Sequence, residues 1–522
     1  MKKIFQKIFS QKKFIISIAI FLLIFLSLSG YTLIGISKNV HKMQSIKDTT
    51  YYPEYPEVNI QGKNQELIRR GEYLAKAGDC IACHTNTSAK GKPFAGGLAM
   101  QTPFGTIYSP NITADKETGI GNWTDSQFIK AMREGISPHG HYYYPAFPYL
   151  YFNKIKTEDL TAIKAYLNNI PTVHQKNQKN AMVFPFNIRF LQLGWRILFF
   201  KPEDTGAYKP NYKHSEQWNR GAYLVQGLGH CAMCHSPYHY VLNDTFSLGA
   251  PIRKYDLTGA KIQGYLAPNI TMTNLAKVPE KDIVAVFTHD LLIGGGKVQG
   301  PMLEVDHDSL KYLSSSDLGY IANYLKVVKS ETPPKPKGGP GKGTYEDSCS
   351  GCHATGSGGS PKYGDAGKWA PIIKAGIDKA YFNALHGIGN MPAKGSCLSC
   401  SDEEIKQAVN YMITAVQGGT GKSSAASFKE NTLTLADGKH IYENNCSVCH
   451  ETGFKGALKP GNKQAWKPII NEGFLKVYQD VVMHRNDHLP QGTCKKCSDS
   501  ELKVAIKYMM QQSANNKNFM LW

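Results

Sequence analysis

A chain of 522 residues exceeds what one domain holds, and at about 150 residues per domain it suggests three or four. Hydrophobic residues make up 42%, an ordinary globular share, while 60 Lys and Arg against 41 Asp and Glu leave a formal charge of +19. Such a charge suits nucleic acid, anionic lipid or an acidic protein face; with no basic patch interleaved with aromatics, nucleic acid is not expected as a partner, and no Gly-rich phosphate loop, nucleophile elbow or other hydrolase motif assigns a catalytic residue.

Lys2, Lys3, Lys7, Lys12 and Lys13 precede an uncharged apolar run over 14–36. Those 23 residues suffice to span a bilayer as a helix. Lysines before the run and the acidic Tyr/Pro stretch TTYYPEYPEVN after it orient the tail inward and the bulk outward. The expectation is a cytoplasmic tail over 1–13, a single transmembrane anchor over 14–36, a stalk over 37–65 and an exported body. That describes a single-pass protein of the inner (cytoplasmic) membrane with its domains in the periplasm. A cleaved signal peptide is the competing reading, against which no Ala-x-Ala site follows the run.

All twelve cysteines fall in six Cys-x-x-Cys pairs. Four pairs are followed directly by histidine: Cys80, Cys83 and His84; Cys231, Cys234 and His235; Cys349, Cys352 and His353; Cys446, Cys449 and His450. This is the spacing of c-type haem attachment. Two thiols add to the two vinyl groups of one porphyrin, and the adjacent imidazole lands under the iron as proximal ligand. A zinc site or redox dithiol uses the same pair, but four repeats with histidine in an exported chain point to four covalently bound c-type haems.

Each motif is preceded by a helix-like stretch with a glycine and an aromatic: RRGEYLAKAGD, NRGAYLVQGLGH, GKGTYEDS and DGKHIYENN. Each domain closes with an amphipathic segment carrying a tyrosine: TEDLTAIKAYL, SSDLGYIANYL, SDEEIKQAVNYM and SDSELKVAIKYM. There the apolar residues recur at three and four, and acids follow Ser or Thr at the start, as N-capping and the helix dipole favour. In these stretches the chain resembles class I cytochrome c, in which the first and last helices pack against each other beside the haem. The resemblance implies a mainly α fold of four such domains in tandem behind one N-terminal transmembrane helix, with Tyr166, Tyr324, Tyr411 and Tyr508 in the helix contacts.

Domain 1 (66–174) and domain 2 (214–330) carry the long loops GGLAMQTPFGTIYSPNITADKETGIGNW and LGAPIRKYDLTGAKIQGYLAPNIT, and the shared Pro-Asn-Ile-Thr at Pro110 and Pro268 marks a duplication. Over about 66–330 this half resembles the cytochrome c subunits of membrane-bound alcohol and gluconate dehydrogenases. In domain 2, GPMLEVDHDSL supplies Met302 as the expected distal ligand. In domain 1 those relatives commonly read Tyr-Pro-Ala-Met-Pro-Tyr where this chain has YPAFPY, with Phe147 at the methionine position. Met100, Met132, His139 and His141 are the available substitutes, and none has a spacing that singles it out. A vacant distal face would open that haem to small ligands. Between the two domains, the connector over 175–213 contains FPFNIRFLQLGWRILFF (184–200), too short and interrupted to span a membrane. Burial between domains is expected, against the alternative of an exposed anchor for lipid or a partner subunit.

A Pro/Gly linker over 331–342 leads to domain 3 (343–417), and a flexible linker over 418–435 leads to domain 4 (436–522), so the last two domains are expected to swing as tethered shuttles. They align without gaps at an offset of 97 residues, which relates Cys349 to Cys446, Trp369 to Trp466 and Cys397 to Cys494. The run MPAKGSCLSCSDEEIKQAVNYM resembles the cytochrome c5 family, across both domains. The resemblance implies Met391 as distal ligand of the third haem and disulfides Cys397–Cys400 and Cys494–Cys497. A dithiol switch, or zinc shared between the domains, is the alternative for those four cysteines. The same offset carries Met391 onto His488, which predicts bis-histidine ligation of the fourth haem and a lowered potential. Met483 or His484 as ligand, or a five-coordinate site, are the alternatives.

Four haems in series behind an anchor point to electron transfer. The expectation is a membrane-anchored periplasmic tetrahaem cytochrome c between a quinol-oxidising complex or dehydrogenase and a terminal oxidase or soluble cytochrome, its positive surface steering it onto acidic docking faces. A dedicated cytochrome c subunit of a dehydrogenase complex is the alternative that the first half favours. A haem enzyme working at the unassigned distal face of domain 1 is the third.

Overall fold

The computed structural model describes residues 64–200, 206–241, 246–262, 265–334, 341–417, 434–472 and 499–514, with 30, 32, 34–39, 51–58, 60, 477, 478, 481 and 497 besides. The helices that organise the chain are α1 (Gln65–Ala77), α2 (Thr157–Leu167), α3 (Gln192–Phe199), α4 (Glu216–Tyr223), α5 (Pro301–Asp308), α6 (Ser315–Leu325), α7 (Asp402–Val416), α8 (Leu435–Asn445) and α9 (Asp499–Ser513). Among the described residues no helix is long and apolar enough to cross a membrane; of the run over 14–36, residues 14–29, 31 and 33 lie outside them. The chain forms two compact units, Met1–Asp365 with Asn383–Val416, and Ala366–Phe382 with Gln417–Trp522.

In each domain the opening helical segment crosses the closing helix so closely that the crossing requires glycine. A Cβ on Gly71 of α1 would stand 1.9 Å from the Ala162 carbonyl oxygen of α2, and one on Gly221 of α4 would stand 2.0 Å from that of Tyr320 on α6. Gly438 of α8 meets Val504 of α9 at 2.3 Å, and Gly341, at φ +82°, meets Gln407 of α7 at 1.9 Å. These are the glycines of the four repeated stretches, and a methyl group at any of them would collide with backbone. Tyr166 and Tyr324 are fully buried, whereas Tyr411 and Tyr508 are half-buried, their rings 5.3 Å from Tyr345 and 5.5 Å from Tyr442. Ser314 and Thr434 cap α6 and α8; Thr157 does not cap α2, being its first helical residue behind Lys156.

Domains 1 and 2 hold each other through two reciprocal clasps. Asp159 of α2 accepts from Arg70 Nε of its own domain at 2.8 Å and from the Tyr223 hydroxyl of domain 2 at 2.5 Å. Asp317 of α6 accepts from Arg220 Nε at 2.9 Å and Nη2 at 2.6 Å, and from the Tyr73 hydroxyl of domain 1 at 2.6 Å. Both donor pairs come from one pattern, Arg-Gly-x-Tyr, at 70–73 and 220–223. The arginine serves its own domain and the tyrosine, three residues on, serves the other. Burial alone would raise the Asp317 pKa, but the hydrogen bonds from Arg220 and Tyr73 outweigh it and hold the carboxyl below its usual range.

Two expectations are corrected. The connector is not buried between domains: Phe190, Ile197 and Leu198 are 70%, 73% and 70% exposed. Nor does domain 3 swing freely, since its distal loop is fastened to domain 2. Ala393 N donates to Gly294 O at 3.2 Å, Ser399 N donates to Asn274 Oδ1 at 3.2 Å, and Asn274 Nδ2 donates to Ser396 O at 3.4 Å. Leu398 packs against the shared core of domains 1 and 2. Linker composition describes the leash alone, and these contacts decide where its end rests. In the second unit, α8 crosses α9, Trp466 donates Nε1–H to Lys459 O at 2.9 Å, and fully buried Tyr478 meets Phe382 edge-on at 5.0 Å.

Asp317→Asn is expected to destabilise the first unit by about 2–3 kcal/mol, below the usual cost of breaking a buried pair because Arg220 is a third exposed. Its pKa is depressed by folding, so the stabilisation is present above about pH 4, the unfolded carboxylate range, and is lost as pH falls through the folded value. Thermal melts of both proteins between pH 7 and pH 3 check this: the gap closes in acid, and a pH-independent gap contradicts it.

Candidate functional site

Each Cys-x-x-Cys-His sequence occupies one short helical turn just after the opening helical segment: Cys80–Cys83, Ala232–His235, Ser350–His353 and Ser447–His450. The turn brings two thiols and one imidazole to a single locus. These eight cysteines carry free thiols, whereas Cys397 and Cys400 are joined in a disulfide and Cys497 is disulfide-bonded; Cys494 lies outside the described residues. The structure therefore separates two kinds of Cys-x-x-Cys. Burial pushes the Cys80, Cys231 and Cys349 thiols up to about 12 and those of Cys234 and Cys446 up to about 11. Cys83 and Cys352 move the same way for the same reason. For these seven thiols burial disfavours the thiolate form that zinc ligation and dithiol exchange both use. Among the described residues no group of three or more His, Cys, Asp or Glu is placed to hold a metal ion.

All four histidines are oriented in the same way. Nδ1 of His84 donates to Pro110 O at 2.8 Å, that of His235 to Pro268 O at 2.7 Å, that of His353 to Pro361 O at 2.8 Å and that of His450 to Leu458 O at 2.8 Å. A carbonyl only accepts, so each ring is the tautomer with its proton on Nδ1 and its lone pair on Nε2, the nitrogen a proximal ligand presents to iron. Burial lowers the pKa of His84, His235 and His353, with the carbonyl bond opposing it, so the rings stay neutral at pH 7, as a metal ligand must. Two free thiols beside an imidazole of fixed tautomer are what covalent c-type haem requires, and the residues present fit that group.

The carbonyl acceptors are functional residues that sequence reasoning missed, although the signal was there. The repeated Pro-Asn-Ile-Thr is the device that aims two of them. Asn111 Oδ1 accepts from Thr113 N at 2.9 Å and Oγ1 at 2.7 Å, and Asn269 Oδ1 accepts from Thr271 N and Oγ1 at the same two distances. Each Asx turn locks the backbone just after the proline. Pro361 and Leu458 stand at the 97-residue offset, so their pairing was also legible.

Segments at and beside the attachment turns of the first unit approach one another. A Cβ on Gly78, two residues before Cys80, would lie 3.4 Å from Leu228 Cδ2, three residues before Cys231, and the Cys83 thiol feels burial first and then Asp79, Glu304, Cys80 and Cys234. A Cβ on Gly351, inside the third turn, would lie 2.6 Å from Leu266 Cβ, two residues before the Pro268 that holds His235. Of the residues expected as distal ligands, Met302 stands half-buried on α5 against the core. Met391 lies in a tight turn with Ile388, their backbones exchanging hydrogen bonds of 3.0 and 2.9 Å. Phe147 is half-buried and meets Tyr143 and Phe152 edge-on at 5.6 and 5.8 Å. Of its possible substitutes, Met132 is buried in the core, Met100 is half-buried in a strand, and His139 and His141 are exposed. His488, Met483 and His484 lie outside the described residues.

The family described as cytochrome c matches residues 68–171, and the family described as cytochrome C oxidase, cbb3-type, subunit III matches 337–412 and 434–509. The gluconate 2-dehydrogenase cytochrome c subunit of Pantoea cypripedii is 34% identical over 74% of this chain and 92% of its own length. The cytochrome c subunit of alcohol dehydrogenase (quinone) from Gluconobacter oxydans (strain 621H) is 32% identical over 68% of this chain and 79% of its own. A nicotinate dehydrogenase subunit of Pseudomonas putida is 40% identical over 56% of this chain, which spans 25% of that longer protein.

The two kinds of cysteine pair are expected to part under mutation. Replacing Cys349 and Cys352 by alanine removes one haem equivalent from the pyridine haemochrome spectrum, whereas replacing Cys397 and Cys400 by serine leaves haem content unchanged. Equal losses from both would contradict the distinction.

Proposed function

The chain belongs to the cytochrome c family that includes the cytochrome c subunits of gluconate 2-dehydrogenase and quinone alcohol dehydrogenase, and we propose that it is the four-haem electron-transfer subunit of a membrane-bound dehydrogenase complex. Each haem, when bound, supplies a one-electron redox iron. The chain's own part is attachment, ligation and spacing. Cys80 and Cys83, Cys231 and Cys234, Cys349 and Cys352, and Cys446 and Cys449 are the attachment pairs, with His84, His235, His353 and His450 as proximal ligands. Met302, Met391 and His488 are the distal ligands of the second, third and fourth sites.

What supports an electron relay is the close approach of the segments at and beside the first three attachment turns, Gly78 to Leu228 and Gly351 to Leu266. Rigid spacing of redox centres is what intramolecular electron transfer needs. Relatives named as cytochrome c subunits of dehydrogenases support such a partner as donor, and the likeness of the last two domains to a cbb3-type oxidase subunit supports delivery toward a terminal oxidase. The run over 14–36 anchors the chain in the inner membrane, with the haem domains in the periplasm.

Iron and haemochrome analysis are expected to give four haems per chain, one for each Cys-x-x-Cys-His sequence. In low-temperature EPR with potentiometric titration, one of them shows bis-histidine g-values and the lowest potential, and His488→Met moves it to the behaviour of the third. Four methionine-ligated haems in the unaltered chain contradict the His488 assignment. A flavin- or quinone-dependent dehydrogenase subunit is expected to co-purify from source membranes; a chain that elutes alone and exchanges electrons only with soluble cytochromes contradicts the subunit reading. An all-low-spin spectrum removes a haem enzyme at domain 1.

A further inference from the structure

The connector between the first two domains is built inside out. On α3, Gln192 is buried, and Trp195 donates Nε1–H to Leu248 O at 2.7 Å and meets Tyr149 edge-on at 6.3 Å. The Arg196 guanidinium lies 4.6 Å from the Phe200 ring centroid, 5.0 Å from Tyr142 and 5.5 Å from Tyr149, and it donates to the Glu134 carbonyl. The polar and cationic side chains thus face the protein, and the aliphatic ones face away. Among the described residues, fourteen large apolar side chains are exposed, and six of them, Phe184, Ile188, Phe190, Leu191, Ile197 and Leu198, fall within this one segment. A water-facing helix distributes its residues the opposite way, and an apolar patch this concentrated marks an interaction surface.

Its position indicates the occupant. Thr32 Oγ1, near the end of the apolar run, donates to Phe184 O at 2.9 Å, and Gly35 approaches Val183 so closely that a Cβ would stand 2.8 Å from Val183 Cγ1. Asn39 Nδ2 donates to Pro103 O at 3.3 Å, and Val183 N to Phe104 O at 2.9 Å, so the residues just past the run and the connector at Val183 are fixed to the same turn, Pro103–Phe104. Ile34, beside this contact, is 59% exposed. Lys176 and Lys179 are exposed on the approach to Val183, where anionic head groups would meet them.

We infer that the face formed by Phe184, Ile188, Phe190, Leu191, Ile197 and Leu198 is a second membrane contact, inserted into the interfacial region of the bilayer that the apolar run crosses. The inference rests on the anchor reading. A helix lying in the interface with aliphatic and aromatic side chains down is how peripheral segments bind lipid. With two fixed points, the anchor and this face, domains 1 and 2 hold one orientation to the membrane instead of hanging from a leash.

The test uses the full-length, haem-loaded chain in vesicles of phosphatidylethanolamine and phosphatidylglycerol doped with a phospholipid carrying a diazirine in its acyl chain; adducts are mapped by peptide mass spectrometry. Adducts are expected on peptides covering 14–36 and 184–198 and not around Tyr212, which is 95% exposed. Ile197→Lys with Leu198→Lys lowers the yield on 184–198 several-fold and leaves the yield on 14–36 and the haem content unchanged. Adducts on 14–36 alone overturn the inference and leave the anchor standing, whereas their absence from 14–36 overturns the anchor reading itself. Adducts on 184–198 in vesicles but not in native membranes would assign the face to a protein partner and also overturn it.

Discussion

The reciprocal Arg–Asp–Tyr clasps are the constraint from which the first unit takes its shape. Asp159 and Asp317, near the start of the closing helices of domains 1 and 2, are buried where a carboxylate needs hydrogen-bond partners, and each takes one of them from the other domain's tyrosine. Arg70 and Arg220 fix the two helices of a domain to each other, while Tyr73 and Tyr223 carry that order across to its twin. Gly71 and Gly221, each between the arginine and the tyrosine, let the helices approach to backbone contact. One four-residue pattern, used twice, therefore sets both the fold of each domain and the distance between them.

That distance matters because the same helices lead directly into the attachment turns. Gly78 and Leu228 pack together within three residues of Cys80 and Cys231, so the clasp fixes how the first two sites face each other. Asn274 extends the arrangement by holding both Ser396 and Ser399, on either side of the disulfide-bonded Cys397. The disulfide therefore lies within the loop that docks domain 3. Each attachment histidine, held through Nδ1 by a backbone carbonyl beside two free thiols, presents Nε2 in an orientation that the chain itself fixes.

The chemistry was readable from the sequence because it depends on short, local spacings. Cys-x-x-Cys-His, the repeated glycines and the 97-residue offset each express a contact within one or two helical turns, or one event of duplication. What could not be read depends on tertiary choice. The outward face of α3 was hidden because apolar content defaults to burial, and nothing local reveals that Arg196 has aromatic rings to lie on. The docking of domain 3 was hidden because Pro and Gly describe the flexibility of a linker and not the surface on which it comes to rest. The carbonyls of Pro110 and Pro268 fall between these cases: the Pro-Asn-Ile-Thr repeat was visible, but its purpose emerged only when both rings were seen to donate to it. At Phe147 the structure packs the ring with Tyr143 and Phe152 without bringing His139 or His141 inward.

If the clasps set the spacing of the redox centres, electron equilibration within the chain must depend on them. The direct measurement is the rate of intramolecular equilibration after injecting less than one electron per chain into the oxidised, haem-loaded protein, compared with a Tyr73→Phe, Tyr223→Phe variant that loses both cross-domain hydrogen bonds and keeps each Arg–Asp pair. The account predicts a slower phase between the first two sites at unchanged haem content. An identical rate in the two proteins, with the variant's melting temperature lowered, would contradict it.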